Sequence, residues 1–156
     1  MSTDQIPNTP ESEMAQYDSL KLKEICRRYS IDTIYAFGSR GMELKLFAAG
    51  AGDIDRSRES DFDVAVKITP QKSLTVRQKS QLTIDLEELF QLTKLDLVVI
   101  NESDPFLAAN IIRGERIFCR DEYLADQYEL YVLRRAGDLI PLERERLQII
   151  FSNSKE

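Results

Sequence analysis

The sequence predicts an α+β fold in which helices pack against a small mixed β-sheet. Short runs of β-branched and aromatic residues alternate along the chain with stretches of helical periodicity. The 156 residues fit one domain, and the 42% of hydrophobic residues can supply a core. We expect the folded domain at residues 18–120, a flexible tail at 1–17 and a helical extension at 121–156 that packs on the same domain.

Strands are predicted where β-branched and aromatic residues run together between turn residues. Such runs occur at residues 31–37, 61–68, 94–100 and 116–119. Helices are predicted where apolar residues recur three and four positions apart. This spacing is found at residues 18–29, 40–49, 73–92, 105–113, 121–136 and 142–151. Asp104 and Pro105 suit the start of the helix at 105, and Gly137 and Pro141 are expected to separate the last two helices.

The composition narrows the classes of function. A formal net charge of −6 argues against a non-specific nucleic-acid surface, so direct nucleic-acid binding is not expected. No apolar run approaches the length of a membrane span, and the polar N-terminus lacks the features of a signal peptide. Cys26 and Cys119 lie far apart in sequence, and we interpret them as small buried hydrophobic residues, with a disulfide as the weaker alternative. The expected location is a reducing compartment, the cytoplasm.

The chain contains no histidine. This absence excludes Ser-His-Asp and Cys-His catalysis, histidine-ligated zinc and histidine acid–base chemistry. Any chemistry must therefore use carboxylates, lysine, arginine, tyrosine or a bound metal.

Two carboxylates stand at the start of the second predicted strand, in the sequence Ser60-Asp61-Phe62-Asp63. Because side chains alternate along a strand, Asp61 and Asp63 should point to the same face. Two carboxylates placed in this way repel each other unless a cation lies between them. Oxygen-rich sites suit Mg²⁺ that is shared with substrate phosphates. The sequence therefore predicts a magnesium site here.

Asp96 is a third candidate ligand. It lies within the apolar strand predicted over 94–100, where an acid is costly to bury without a partner. The metal predicted at Asp61 and Asp63 would be that partner if the two strands are neighbours. The alternatives are that Asp96 faces solvent, or that it pairs with a lysine or an arginine.

A second Asp-x-Asp motif, Asp53 and Asp55, lies in the preceding loop. Polar and charged residues follow it instead of a strand, and a metal site needs ligands that a rigid element holds. The spacing also fails as a calcium loop, because Arg58 stands at the position of the required glycine and Val64 at that of the bidentate glutamate. We therefore interpret Asp53 and Asp55 as solvated loop charges.

Gly38 and Ser39 follow the first predicted strand and precede a helix. Free backbone N–H groups at such a junction favour phosphate, so we predict that this turn holds the phosphates of a nucleotide. Most Gly-Ser pairs are ordinary turns, and the prediction depends on the position of this one. For Arg40 a phosphate contact is slightly favoured, and pairing with a loop acid is the alternative.

Taken together, these residues resemble the signature of the minimal nucleotidyltransferases, in the DNA polymerase β-like nucleotidyltransferase superfamily. The matching pieces are Gly38-Ser39-Arg40-Gly41, Ser60-Asp61-Phe62-Asp63, the strand acid Asp96 and the stretch from Ile111 to Phe118. The resemblance implies a fold like the polymerase β palm. It also implies catalytic metal ligands at Asp61, Asp63 and Asp96 and nucleotide contacts at Gly38, Ser39, Arg40 and Ser60.

The resemblance implies a function as well. With one or two Mg²⁺ ions, the protein would transfer a nucleoside monophosphate, AMP from ATP, and release pyrophosphate. Small members of the family act as antitoxins beside a HEPN-type ribonuclease toxin, so the acceptor would be a tyrosine hydroxyl of that toxin. The first alternative is a non-catalytic antitoxin that neutralises its partner by covering it. The second is a small-molecule enzyme that resembles the aminoglycoside nucleotidyltransferases.

The gap between Ser39 and Ser60 is longer than the family pattern. Its extra length falls at residues 43–58, and the expectations for this segment are a lid, a partner contact or a longer helix. Beyond residue 121, the predicted helix offers either core residues or a surface for a dimer or another partner, at Tyr123, Leu124, Tyr128, Tyr131 and Val132. Residues 143–146 are expected to form a solvated face with local ion pairs.

Overall fold

The structure of the chain, a computed structural model, describes residues 10–154, and for residues 10–18 it describes the backbone alone. Helices and strands alternate within this range, which confirms the predicted α+β class. The elements are α1 (Pro10–Arg28), β1 (Ile31–Phe37), α2 (Gly41–Ala48), β2 (Phe62–Ile68), α3 (Val76–Phe90), β3 (Leu95–Val99), α4 (Pro105–Ile112), β4 (Glu115–Cys119) and α5 (Glu122–Asn153). Two 3₁₀ turns, Gly38–Arg40 and Ile100–Glu102, follow β1 and β3.

The strands form one mixed sheet in the order β3-β2-β1-β4. β1 is antiparallel to both β2 and β4, whereas β2 and β3 are parallel. A parallel pair needs a crossover connection, which α3 supplies here. The entries to β2 and β3 therefore lie side by side, at the end of the sheet where β1 finishes. Phe37, the last residue of β1, pairs with Asp63 of β2, so the turn after β1 lies beside the predicted acids.

The core occupies both faces of the sheet. On one face, α1 and α3 cover the strands through buried residues that include Cys26, Ile34, Val64, Val66, Leu82 and Leu86. On the other face, α4 and α5 cover the strands. The buried residues there include Tyr35 and Ala65 of the sheet and Ile111, Val132 and Ala136 of the helices. Since side chains alternate along a strand, Asp63 projects from the same face as Ala65, and Asp96 from the same face as Val98. Both acids therefore belong to the face that α4 and α5 cover only in part.

α1 begins at Pro10, well before its predicted start at residue 18. Proline suits the first position of a helix. The prediction overlooked this starting signal. The rest of the expected tail, residues 1–9, lies outside the described residues.

α5 is one helix that runs through Gly137 and Pro141, so the predicted break there is wrong. Glycine and proline penalise a helix interior without forbidding it, and good helix formers such as leucine, arginine and glutamate flank both positions. The fully buried residues of α5 end at Ala136. Val132 is buried as expected for a core position, but Tyr123, Leu124 and Tyr131 are exposed.

The structure also describes the ion pair expected at residues 143–146 and the state of the two cysteines. Glu143 and Arg146 form the local ion pair predicted for that face, at 2.6 Å. Cys26 and Cys119 are both free thiols, the first buried and the second half-buried. Burial raises the pKa of the Cys26 thiol to about 12. None of the helices in the described part of the chain is long and apolar enough to cross a membrane.

Candidate active site

The turn after β1 is open to solvent and approaches one of the acids closely. Gly38 and Ser39 are exposed, and Gly38 has a φ of +71°, a region that favours glycine. A Cβ atom at this position would overlap Oδ2 of Asp63. Gly38 therefore has no side chain for two separate reasons, its backbone conformation and the carboxylate beside it.

Asp63 and Asp96 lie next to each other on neighbouring strands. They are partners in the parallel register of β2 and β3, so their side chains project from the same face. Burial, followed by the charges of Asp96 and Asp61, raises the pKa of Asp63. Asp63 thus lies close enough to the other two carboxylates for their charges to disfavour its ionised form.

Asp61 stands just before β2 and is less firmly fixed than the other two acids. Its Oδ1 lies 3.3 Å from Nζ of Lys94, with which it forms an ion pair. Among the residues whose side chains are described, no three acidic or cysteine side chains are gathered as a metal-binding cluster. The donor set, the paired carboxylates of Asp63 and Asp96 with Asp61 beside them, nevertheless has the oxygen chemistry that suits a hard cation such as Mg²⁺. Binding it would require Asp61 to leave the mostly exposed Lys94.

The environment of Asp96 differs from the one used to predict its role. The prediction rests on the cost of burying an acid, but Asp96 is exposed on the edge strand β3. The alternative in which it faces solvent is therefore the one that the structure shows. Its position opposite Asp63 follows from the strand register, which the sequence could not supply.

Arg40 does not present its guanidinium to the turn as a free phosphate contact. Its side chain is only 3% exposed, and Nη2 donates to Oε2 of Glu43 at 2.6 Å. The guanidinium also lies 3.8 Å from the centre of the Phe62 ring. The hydrogen bond from Arg40 holds the pKa of Glu43 below its usual range. The structure therefore shows Arg40 paired with an acid of α2 in place of the favoured phosphate contact, whereas the alternative expected a loop acid.

Sequence reasoning missed Glu43, the partner of Arg40. The signal was available, because an acid three residues after an arginine on a predicted helix is placed to pair with it.

Ser60, the remaining predicted nucleotide contact, is exposed, and its carbonyl accepts a hydrogen bond from Nη1 of Arg40 at 2.8 Å. Asp53 and Asp55 are exposed loop residues, as expected. The carboxylate of Asp55 accepts hydrogen bonds from the backbone and hydroxyl of Ser57, which lower its pKa.

A mixed sheet with an acid-bearing parallel pair beside a glycine turn defines the class of protein, a polymerase β-like nucleotidyltransferase fold. The family model for polymerase beta nucleotidyltransferases matches residues 20–123. The chain therefore belongs to this family. A comparison with curated proteins finds no match.

Solved structures of toxin–antitoxin complexes contain chains with this fold. One, from a complex with AMP-PNP, has a TM-score of 0.61 and 18% identity, over 86% of this chain and 97% of its own. Another, from the tri-AMPylated Shewanella oneidensis HEPN toxin with its MNT antitoxin, has a TM-score of 0.58 and 17% identity, over 90% and 98%. A third, from MntA–HepT, gives 0.58 and 17%, over 89% and 98%. At these identities the likeness shows the fold.

Proposed function

We propose that this protein is a Mg²⁺-dependent nucleotidyltransferase that transfers AMP from ATP to a hydroxyl of a HEPN-type toxin, and so acts as its antitoxin. The observation that carries the proposal is the pairing of Asp63 with Asp96 beside the turn at Gly38. Membership of the family supports nucleotidyl transfer. A similar chain occurs in a complex with AMP-PNP, and another in a complex with an AMPylated HEPN toxin, which supports the donor and the acceptor.

The nucleotide phosphates would lie at the turn between β1 and α2. Gly38 and Ser39 are exposed there, and no side chain caps the start of α2, where the N–H of Gly41 donates to the carbonyl oxygen of Gly38. The start of a helix attracts phosphate through its N–H groups and its dipole. The exposed hydroxyl of Ser60 completes the proposed nucleotide contacts.

Asp61, Asp63 and Asp96 would hold the metal. A bound Mg²⁺ supplies neutralisation of the phosphate charge and stabilises the leaving pyrophosphate. Burial raises the pKa of Asp63, and the charges of Asp96 and Asp61 raise it further, so a cation at this place would stabilise its ionised form. The exposed ammonium of Lys94 is the group that now balances Asp61.

The proposed reaction is a direct displacement. The acceptor hydroxyl oxygen forms a bond to the α-phosphorus of ATP, and the bond from that phosphorus to the bridging oxygen breaks. Pyrophosphate leaves with the electron pair of the broken bond. The hydroxyl proton passes to the carboxylate of Asp96, whose exposure allows it to return the proton to solvent.

The test is to incubate the purified protein with ATP, Mg²⁺ and the product of the gene next to its own, and to measure the mass of that product. One or more added AMP groups are expected, and none with Asp63→Asn or with EDTA. If none of the nucleoside triphosphates changes the mass of that product, the proposal is contradicted.

A second candidate function is neutralisation by binding alone, and the end of α5 favours it. Beyond Ala136, large apolar side chains remain exposed at Ile140, Leu142, Leu147, Ile149, Ile150 and Phe151. An apolar surface of this kind suits a protein partner. If the double variant Asp61→Asn, Asp63→Asn still neutralises the toxin fully, binding and not transfer is the function.

A further inference from the structure

Arg40 is the buried centre of a network that lies next to the proposed site. Its Nε donates to Oε1 of Glu43 at 3.0 Å and its Nη2 to Oε2 at 2.6 Å, in a two-pronged pair. Its guanidinium is stacked on Phe62, the residue between Asp61 and Asp63. A paired and stacked arginine fixes the orientation of both of its neighbours.

The remaining donors of Arg40 reach the backbone that leads into β2. Nη1 donates to the carbonyl oxygens of Ser60 at 2.8 Å and Arg58 at 3.4 Å. Nη2 donates to the carbonyl oxygen of Asp55 at 2.7 Å. A side chain at the end of the glycine turn therefore holds the segment that delivers Asp61. Since Ser60 is joined directly to Asp61, movement of that carbonyl also moves the carboxylate.

The same segment reaches the loop that leads into β3. The backbone N–H of Asp55 donates to Oε2 of Glu43 at 2.9 Å. Nη1 of Arg56 donates to the carbonyl oxygen of Gln91 at 2.6 Å. Gln91 is the left-handed residue, at φ 55°, that ends α3 before β3 begins. Residues 43–58 thus connect the glycine turn with the entries to both acid-bearing strands.

We propose that residues 43–58 form a brace around Arg40, and that Arg40 and Glu43 are positioning residues for Asp61 and the turn at Gly38. The inference rests on the proposed function and deepens it, because it assigns a task to the long segment in place of a lid. A misplacement of reacting groups by about 1 Å costs about 10²-fold in rate. A substitution that loosens the brace should therefore reduce activity far more than a substitution elsewhere that lowers stability by the same amount.

The test compares Arg40→Lys with a matched control, Arg116→Lys. Arg116 pairs with Glu129 through the same two nitrogen atoms, at 2.8 and 2.6 Å, but on β4 and α5. Both changes keep a positive charge and remove a two-pronged arginine–carboxylate pair, so both lower stability. Only Arg40→Lys is expected to lower kcat, by about 10²-fold, and to raise the Mg²⁺ concentration that gives half-maximal rate. Equal kcat and equal Mg²⁺ dependence in the two variants overturn the proposal.

Hydrogen exchange of the protein without ligands gives a readout that does not depend on catalysis. In Arg40→Lys, the backbone amides at residues 38–41 and 55–62 should exchange faster, and in Arg116→Lys they should not. If the wild type transfers no nucleotide but Arg40→Lys still loosens these amides, the proposed function is wrong and the brace is supported. If exchange there is unchanged, the brace is wrong.

A milder variant covers the case in which Arg40→Lys does not fold. Arg56→Gln removes only the link to Gln91 and lies on an exposed side chain. It should raise exchange at residues 55–62 and lower kcat by a smaller factor than Arg40→Lys. Wild-type exchange and wild-type kcat in Arg56→Gln contradict the proposal.

Discussion

Gly38→Ala separates the two reasons for glycine at the turn. Alanine at this position would have to adopt a φ of +71°, which costs roughly 1–2 kcal/mol of stability in an L-residue. The new methyl group also overlaps Oδ2 of Asp63, whereas Cγ and Cβ of Asp63 lie at 3.4 and 3.6 Å, an ordinary contact. Rotation of the carboxylate can therefore relieve the overlap, and the main effect should fall on activity.

The expected size follows from that geometry. To reach ordinary contact, the carboxylate oxygen must move by about 1 Å, and a displacement of that size costs about 10²-fold in rate. This corresponds to about 2.7 kcal/mol of lost transition-state stabilisation. The total change is thus a small loss of stability with a much larger loss of transfer activity.

Gly50→Ala is the control for backbone strain, since Gly50 has a φ of +72° and lies on an exposed turn. It lies within residues 43–58 but makes none of the hydrogen bonds of Arg40 and Glu43 that form the proposed brace. Urea denaturation should give similar losses for the two variants. Rates of AMP transfer, measured at saturating ATP and a temperature at which both variants are folded, should fall far more in Gly38→Ala. Equal rates in the two variants would refute the proposed contact between the turn and the carboxylate.

Three further predictions concern α5, the acids and the thiols. Gly137→Ala should raise the free energy of unfolding by about 0.5–1 kcal/mol in urea denaturation, because a Cβ there meets nothing within 4 Å; an unchanged midpoint contradicts this. Burial and the neighbouring acids raise the pKa of Asp63, so its contribution to stability falls as pH rises from about 3.9 through the raised native value. Asp63→Asn should therefore melt above the wild type at neutral pH, with a difference that shrinks in acid. Finally, since burial raises the pKa of Cys26 to about 12, iodoacetamide should label Cys119 first in the native protein, as read by peptide mass spectrometry; early labelling of Cys26 would contradict this.

The fold was largely predictable because its signals are local. Each predicted strand exists within a residue or two of its expected bounds, since runs such as that of β1 combine β-branched residues with clear turn residues at both ends. The errors lie in helix boundaries. Pro10 starts α1 earlier than expected, and α5 continues through Gly137 and Pro141. Whether a helix continues through residues with penalties of this size depends on the stability of the whole helix and not on one residue.

The sequence selects the candidate residues but not their contacts. Asp63 is preferred to the loop motif at Asp53 because a strand follows it, and the structure has a strand at that place. The position of Asp96 opposite Asp63 depends on the pairing of β2 with β3, which is a long-range property. The burial of Arg40 depends in the same way on carbonyl groups far along the chain, among them that of Ser60.

The acids of the site are held by two different physical means. Asp63 and Asp96 are fixed by the hydrogen-bonded ladder of the sheet, which gives positions that vary little when a loop moves. Asp61 lies before the first residue of β2 and depends on the hold of Arg40 on Ser60. Because the ladder does not fix its carboxylate, the proposed function requires it to exchange Lys94 for a cation. Under that proposal, the order of the loop at residues 43–58 would set how readily Asp61 joins Asp63 and Asp96 at the metal.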